Sequence, residues 1–322
     1  MTKIAYLLGA GASAGAVPVV NGMKDGAEEL LHRLNVIPPD IFSEEGQDVQ
    51  NAKVMIGELI EICARSSSVD TYGKILHDSS QLREFELLKE RLILYFSLTE
   101  ALKGTDRRYE NFIAGVSSMG VMSSNISIFS WNYDLQLEAS MGRFVLSDHI
   151  GEIRRHLGFR DTTDFANGPS DGFSFVKLNG SACFRTLSGN AHATPLVLKG
   201  DNTEQRLKDV CTNYRKLRDA KKDMCLRFAW EQPTRDMLMG FLGRLSPVNV
   251  LVIIGYSFPS FNRYIDKLIL SQLNPQKIIL QYPKPTGARI FIEEVLGGNK
   301  KLKIQDDDDT TQFHIPFEFN PI

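Results

Sequence analysis

Long apolar runs, a dominant charge and paired cysteines are what this sequence lacks. No apolar stretch in its 322 residues approaches the roughly 18 needed to cross a bilayer, which excludes a membrane-spanning chain from the expectations. Lys and Arg number 37 against 39 Asp and Glu, a formal charge of -2, so there is no electrostatic footprint for nucleic acid or for an anionic membrane. The four cysteines, Cys63, Cys183, Cys211 and Cys225, form no CxxC pair. That removes the zinc-ribbon spacing and any disulfide framework, and leaves buried free thiols and no metal site as the expectation. An apolar signal-peptide core is missing too, because the chain enters a strand at once; a soluble cytoplasmic protein is expected.

What is present begins at Lys3 to Ser13, KIAYLLGAGAS. Ile4 to Leu8 reads as a short buried strand, and Gly9 and Gly11 then allow a tight turn that exposes backbone N-H groups. A helix starting near Ser13 would aim those groups and its positive end at an anion such as a pyrophosphate. The third position of a GxGxxG pattern is Ala14, a tolerated variant. A second strand about 30 residues on, ending in an acidic residue for a ribose, is absent: Gly26 to Leu34 reads as helix and NVIPPD as loop. That disfavours an ordinary dehydrogenase. A glycine turn without a ligand fits the same stretch.

From about Met23 to Ser124 the periodicity is helical, which predicts an insertion of about a hundred residues between the first and second strands. In Gln81 to Leu102, the positions Leu82, Phe85, Leu88, Leu92, Tyr95 and Phe96 recur at spacings of three and four and predict one core-facing stripe. Strands are predicted at Asn125 to Trp131, Phe173 to Leu178, Val248 to Ile254 and Lys277 to Tyr282, with a short one at Pro195 to Leu198. Asn202 to Leu245 reads as a second helical insertion, from about 201, with Trp230 and Phe241 inside. Its basic run at Tyr214 to Lys222 reads as a solvated helix face. Asp306 to Asp309 reads as an exposed loop.

Four of the strands end in turns rich in Gly, Asn, Ser or Asp: GAGAS, then Asn132, Tyr133 and Asp134, then Asn179, Gly180 and Ser181, then Gly255, Tyr256 and Ser257. Polar side chains at the carboxyl ends of strands sit where open α/β sheets bind ligands, so Asn132 and Asp134 are chemical candidates. Each also has a plain role, Asp134 as a helix cap and Asn132 as a turn former. Asn262 is a candidate cap for the helix after Ser257. The fold expected is one α/β domain with a Rossmann-like, mostly parallel, doubly wound sheet and two helical insertions.

GAGAS with Pro18, WNYD at Trp131 to Asp134, KLNGS at Lys177 to Ser181 and GYSFPSFNRYID at Gly255 to Asp266 resemble, in order, the motifs of the SIR2-like family. More narrowly they resemble the bacterial SIR2-like NAD-hydrolysing domains of antiviral defence. The resemblance implies that Gly9, Ala10, Gly11, Ala12 and Ser13 hold the phosphates and nearby ribose of NAD+, the substrate. It places Asn132 beside the nicotinamide ribose as a catalytic residue, with Asp134 supporting its loop and Asn179 on the ribose. Gly255 and Ser257 border the adenosine half, and Tyr133 and Tyr256 belong to the same binding loops. SVDTYGKIL at Ser68 to Leu76 is also similar to a segment of these proteins, with no chemistry attached.

Two departures from the family pattern bear on the activity. Asn179 stands where the family's KLHGS has histidine, and an amide takes no proton near neutral pH. Cleavage through an oxocarbenium-like state can still be helped by positioning and electrostatics. The four-cysteine zinc module of protein-deacetylating sirtuins is absent, which disfavours deacetylation. The expected activity is therefore release of nicotinamide from NAD+ to leave ADP-ribose, restrained by a regulatory partner or a homo-oligomer. The alternative is an inactive subunit that binds NAD+ or ADP-ribose and signals to a partner.

Overall fold

Strand and helix alternate along the chain in the computed structural model, which describes residues 2–40, 42–118, 121–161, 172–186, 191–192, 202–231, 235–283, 286–297 and 301–320. β1 (Ile4–Leu8) leads through a 3-10 turn (Ala10–Ser13) to α1 (Met23–Val36), α2 (Glu44–Arg65), α3 (Val69–Asp78), α4 (Leu82–Lys103) and α5 (Arg107–Val116). A small hairpin, β2 (Ser117–Ser118) and β3 (Val121–Met122), precedes β4 (Ile126–Ser130), α6 (Gln136–Val145), α7 (Ile150–His156), β5 (Phe159–Asp161) and β6 (Ser174–Lys177). Next come β7 (Gly180–Thr186), β8 (Ala191–His192), α8 (Thr203–Asp219), β9 (Lys221–Leu226) and a 3-10 turn (Ala229–Glu231). The chain continues with α9 (Arg235–Leu245), β10 (Val250–Ile254), α10 (Arg263–Leu273), β11 (Lys277–Gln281), α11 (Thr286–Leu296) and β12 (Lys303–Asp307).

Seven parallel strands form the central sheet in the order β12-β11-β10-β1-β4-β6-β5. β1 lies in its middle, Ile4 opposite Ile126 of β4 on one side and Val250 of β10 on the other. All five β1 residues are buried, because Ile4, Tyr6 and Leu8 pack against α5 and α6 while Ala5 and Leu7 pack against α9, α10 and α11. A parallel strand covered on both faces has no polar side, and IAYLL reads accordingly. This is the α/β, Rossmann-like, doubly wound sheet expected. The chain leaves β1 toward β4 and returns on the opposite side at β10, so a crevice opens at the carboxyl ends of these strands.

The two insertions are not separate appendages. Leu30, Ile56 and Leu92 from the first share one apolar core with Phe184, Cys211 and Phe228 from the later part of the chain. Between 201 and 245 the helical reading is corrected, since β9 runs antiparallel to β7 in a second sheet with β8. Lys221 and Lys222 look like more of the basic helix face, yet α8 ends at Asp219 and Met224, Cys225 and Leu226 are buried as a strand. The turn expected after β6 falls on Leu178 and Asn179, and Gly180 opens β7; a Cβ there would lie 1.8 Å from the Cys225 carbonyl oxygen, so only glycine admits β9. The strand expected at Pro195 to Leu198 lies outside the described residues.

Two further expectations are corrected. Residues 88–99 of α4 are buried on every side, while Leu82, assigned to its apolar stripe, is 61% exposed. A helix enclosed by its neighbours needs partners for its charges, and Lys89 meets Glu231 at 2.6 Å and Arg91 meets Glu58 at 2.8 Å. Asp306 and Asp307 belong to β12 and not to a loop, so β11 is not the last strand. An edge strand open on one side reads polar, and here Arg289 pairs with Asp306 and His314 with Asp307.

Candidate functional site

Glycine makes the turn after β1 possible, for a reason other than the one expected. The N-H groups of Gly9 and Gly11 donate to the carbonyl oxygens of Ile254 and Gly255, and that of Ala12 to Gly9. They are therefore committed inside the protein and not open to an anion. A Cβ on Gly9 would lie 2.6 Å from the Tyr256 Cα, and one on Gly11 2.7 Å from the Gly255 Cα, so the turns after β1 and β10 cross in backbone contact. The helix expected near Ser13 is also replaced: the 3-10 turn ends there and α1 starts only at Met23. The macrodipole of an α-helix is thus missing from this turn.

The crossing makes a sharp test. Gly255 has a φ of 57°, and a Cβ there would lie 2.4 Å from the Gly11 Cα. Gly104 has a φ of 76° with nothing within 4 Å of its Cβ position. Gly104→Ala is expected to cost about 1–3 kcal/mol from backbone strain alone, since φ 76° with ψ -154° is a glycine conformation, and Gly255→Ala is expected to cost about 1–3 kcal/mol beyond its own strain because overlap is added. Urea unfolding of the two variants checks this; equal midpoints would mean that the crossing turns are not tightly packed.

Arg108 and Asp106 tie the turn down from α5. Arg108 donates to the carbonyl oxygens of Gly11 and Ala12 at 3.3 and 3.1 Å, and Asp106 accepts the Gly15 N-H at 3.0 Å. The guanidinium also pairs with Asp106, and it helps to hold that carboxyl below its usual range against the opposing effect of burial.

At the carboxyl edge of the sheet lies a pocket of about 390 Å³. The ends of β1, β4, β6 and β10 all reach it: Gly9 and Ala10, Trp131 to Asp134, Asn179, and Gly255 to Ser257 are lining residues. Gly11, Ala12 and Ser13 are not, and Ala12 and Ser13 are buried. The far wall comes from the first insertion, with Asn21, Met23, Ser68, Asp70 and Phe96. The pocket has the size of a small-molecule site, largely apolar with a few polar groups.

Asn132 is the junction of its floor. Its amide Nδ2 donates to the Gly9 carbonyl at 2.9 Å and to the Ser13 hydroxyl at 3.1 Å, and the latter meets the Tyr109 hydroxyl at 2.9 Å. Because a backbone carbonyl can only accept, this network fixes which end of the amide is nitrogen. Both amide hydrogens are engaged, which leaves Oδ1 as the Asn132 side-chain atom with capacity to spare. Below, the buried Lys177 ammonium donates to the carbonyl oxygens of Asn132 (3.0 Å) and Asp134 and lies 4.0 Å from Glu138.

Asp134 is near the start of α6, with Oδ1 accepting the Gln136 N-H at 3.2 Å, although Leu135 occupies the N-cap position. Burial raises its carboxyl above the usual range, against the pull of Lys177 and Ser13. Asn179 donates weakly, at 3.4 Å, to the Trp131 carbonyl and to the Tyr133 hydroxyl, and its backbone carbonyl accepts the Arg227 N-H. Tyr133 completes that wall against Phe96, ring centroids 5.6 Å apart.

The β10 side is set by a residue whose role sequence reasoning missed. Asp266, fully buried on α10, accepts from Trp131 Nε1 at 3.1 Å and from the Tyr256 hydroxyl at 2.8 Å. The two rings stack with 16° between planes. Asn262 does not cap α10 with its side chain; it donates to the Tyr256 hydroxyl at 2.9 Å. The Tyr256 hydroxyl is thereby engaged away from any ligand, while Ser257 is exposed at the rim. Asp266 was legible only as the tail of GYSFPSFNRYID, since its partners are remote in sequence.

Three carboxyls around this pocket hold protons that an unfolded chain would release. Burial raises Asp70 to about 6 and Asp266 to about 8; burial, then the Asp134 charge, raise Glu100 to about 8. Unfolded, each titrates near 4. Between pH 4 and 8 the folded state therefore binds more protons, and stability falls as pH rises through that window. Unfolding free energies from urea titrations at pH 5, 6, 7 and 8 are expected to decline at every step, the three shifts together amounting to roughly 8 kcal/mol across the series as an upper bound. A rising series would contradict these assignments.

Among the described residues no helix is long and apolar enough to cross a membrane. In comparisons with known proteins, no family model matches the chain and no curated protein matches it.

Proposed function

We propose that this chain is a SIR2-like NAD+ glycohydrolase, releasing nicotinamide and leaving ADP-ribose. The supporting observation is convergence: the four segments that resemble SIR2-like motifs, spread from residue 9 to residue 262, contribute to the lining of one pocket at the sheet's carboxyl edge. The leaving group is a cationic pyridinium, so departure needs no strong acid. Asn132 Oδ1 and Asn179 face the nicotinamide ribose, and Asp134 and Lys177 hold the loop that carries Asn132. With the Gly9, Gly11 and Ala12 N-H groups engaged, the phosphates fall to Ala10 and to the side chains of Asn21, Ser257 and Ser260. An effector role in antiphage defence rests on the resemblance alone. Free-running activity would drain a cell's NAD+, so a protein partner or a homo-oligomer restrains it.

One observation favours a second reading. Asn179 is held by its amide and its backbone carbonyl alike, and neither it nor Asn132 is a base. A nucleotide-binding subunit that signals without cleavage would look the same at these two positions. Nicotinamide release from NAD+ by the purified chain, alone and with cell extract, separates the two. Release is expected; retained NAD+ binding with no release in any mixture would select the binding subunit.

A further inference from the structure

SVDTYGKIL, the segment given no chemistry by its sequence, builds the wall of the pocket that faces the sheet edge. Ser68 caps α3, its hydroxyl accepting the Thr71 N-H at 3.1 Å, and this fixes the first turn so that Ser68, Val69 and Asp70 all line the pocket. Val69 is buried and anchors that turn in the core of the insertion, while Asp70 is partly buried. Among the described residues no lysine, arginine or histidine forms an ion pair with Asp70, whereas the neighbouring charges are matched. On its own helix Lys74 pairs with Asp78; across the α3–α4 contact Lys89 pairs with Glu86 and with Glu231; at the end of α2, Arg65 pairs with Glu61. The groups whose ionisation its charge opposes are the phenols of Tyr133 and Tyr256, which stand on the β4 and β10 sides of the same pocket.

We infer that Asp70 is a catalytic residue of this pocket, the base that accepts a proton from the water attacking the ribose. The inference rests on the glycohydrolase reading and supplies what Asn179 cannot. In the step, the bond from ribose C1′ to the pyridinium nitrogen breaks and its electron pair leaves on nicotinamide. The water oxygen bonds to C1′, one water proton passes to the Asp70 carboxylate, and that proton is then lost to solvent. The products are nicotinamide, ADP-ribose and a proton. Burial lifts the Asp70 carboxyl to about 6, so it is mostly ionised at pH 7 yet basic enough to take a proton. Tyr133 and Tyr256 stay neutral throughout this range, and Asp266 and Glu100, raised to about 8, titrate above it.

The test is the pH profile and the kcat-against-KM split of the full chain, with Asp70→Asn and Asp70→Glu variants and NAD+ as substrate. Wild-type kcat/KM is expected to fall as pH drops through about 6. Asp70→Asn is expected to lose about 10²- to 10⁴-fold in kcat with little change in KM and with no acid limb. Asp70→Glu restores part of the rate together with the limb. An active wild type whose profile is flat from pH 5 to 8 overturns the inference without any variant. So does an Asp70→Asn protein that keeps its kcat, keeps the acid limb, or loses only affinity. A wild type that releases no nicotinamide overturns the glycohydrolase reading itself, and this inference with it.

Discussion

Lys177→Met is expected to destabilise the protein by about 3–5 kcal/mol and to abolish activity with it. Lys177 is 1% exposed and its ammonium donates to two backbone carbonyls of the WNYD loop, and Glu138, 4.0 Å away, is 0% exposed. Arg154 reaches only the other Glu138 oxygen, at 3.2 Å, so the Oε2 that faces Lys177 has no hydrogen-bond partner. Removing the lysine takes one of two cations from the Glu138 carboxylate, leaving Arg154 on the other oxygen, and leaves the carbonyls of Asn132 and Asp134 without this donor. Methionine fills the volume but offers no proton. Adding Glu138→Gln also deprives the buried Arg154 of its carboxylate partner and is expected to deepen the loss; a double-mutant cycle reads how far Lys177 and Glu138 are coupled. A single variant within about 1 kcal/mol of wild type in urea would show that the ammonium is not needed to hold the loop.

Asn132→Ala is expected to lower nicotinamide release by about 10²- to 10³-fold, the scale seen when one preorganised polar group is taken from a reaction centre. The variant removes the amide of a pocket-lining residue and also frees the Gly9 carbonyl and the Ser13 hydroxyl of their Nδ2 partner, at a further cost of about 1–3 kcal/mol in stability. Rates must therefore be compared well below the variant's unfolding midpoint. Ser13→Ala separates the two effects, because it breaks part of the same network and leaves Oδ1 in place. A Ser13→Ala protein as slow as Asn132→Ala would assign the loss to the network. An Asn132→Ala protein with near-wild-type release would remove Asn132 from the reaction.

How legible each part is in the sequence depends on how that part is specified. β1, β4, β6 and β10 are short apolar runs that a two-sided sheet demands, and the glycine and asparagine turns after them mark their carboxyl ends. Those signals are local, and they lead to the carboxyl edge of the sheet, where the pocket lies. β9 and β12 escape such a reading because KKDMCL and KIQDD take their strand character from partners, Gly180 to Thr186 and β11, that no local pattern announces. Burial of α4 on all sides is likewise a property of what surrounds it.

In the site, the residue types are readable but not their engagements. Gly9 and Gly11 announce a tight turn, yet nothing local to them reveals that Gly255 and Tyr256 lie against them or that their N-H groups are already bonded. Asp70 and Asp266 come to the pocket from a helix of the insertion and from the helix after β10. Their role depends on which remote side chains they meet, Trp131 and Tyr256 in the second case.

The position of β1 also has a bearing on synthesis. Its first residue pairs with Ile126 and Val250, so β1 once made waits more than a hundred residues for one neighbour and about twice as long for the other. Contacts so distant in sequence form late and slowly. The pocket inherits this order, because its last lining turn, Gly255 to Asn262, leaves the ribosome after every other wall. A partly made chain that stops short of Asn262 therefore has no complete pocket, and whatever that pocket binds finds no finished site until this turn has been made.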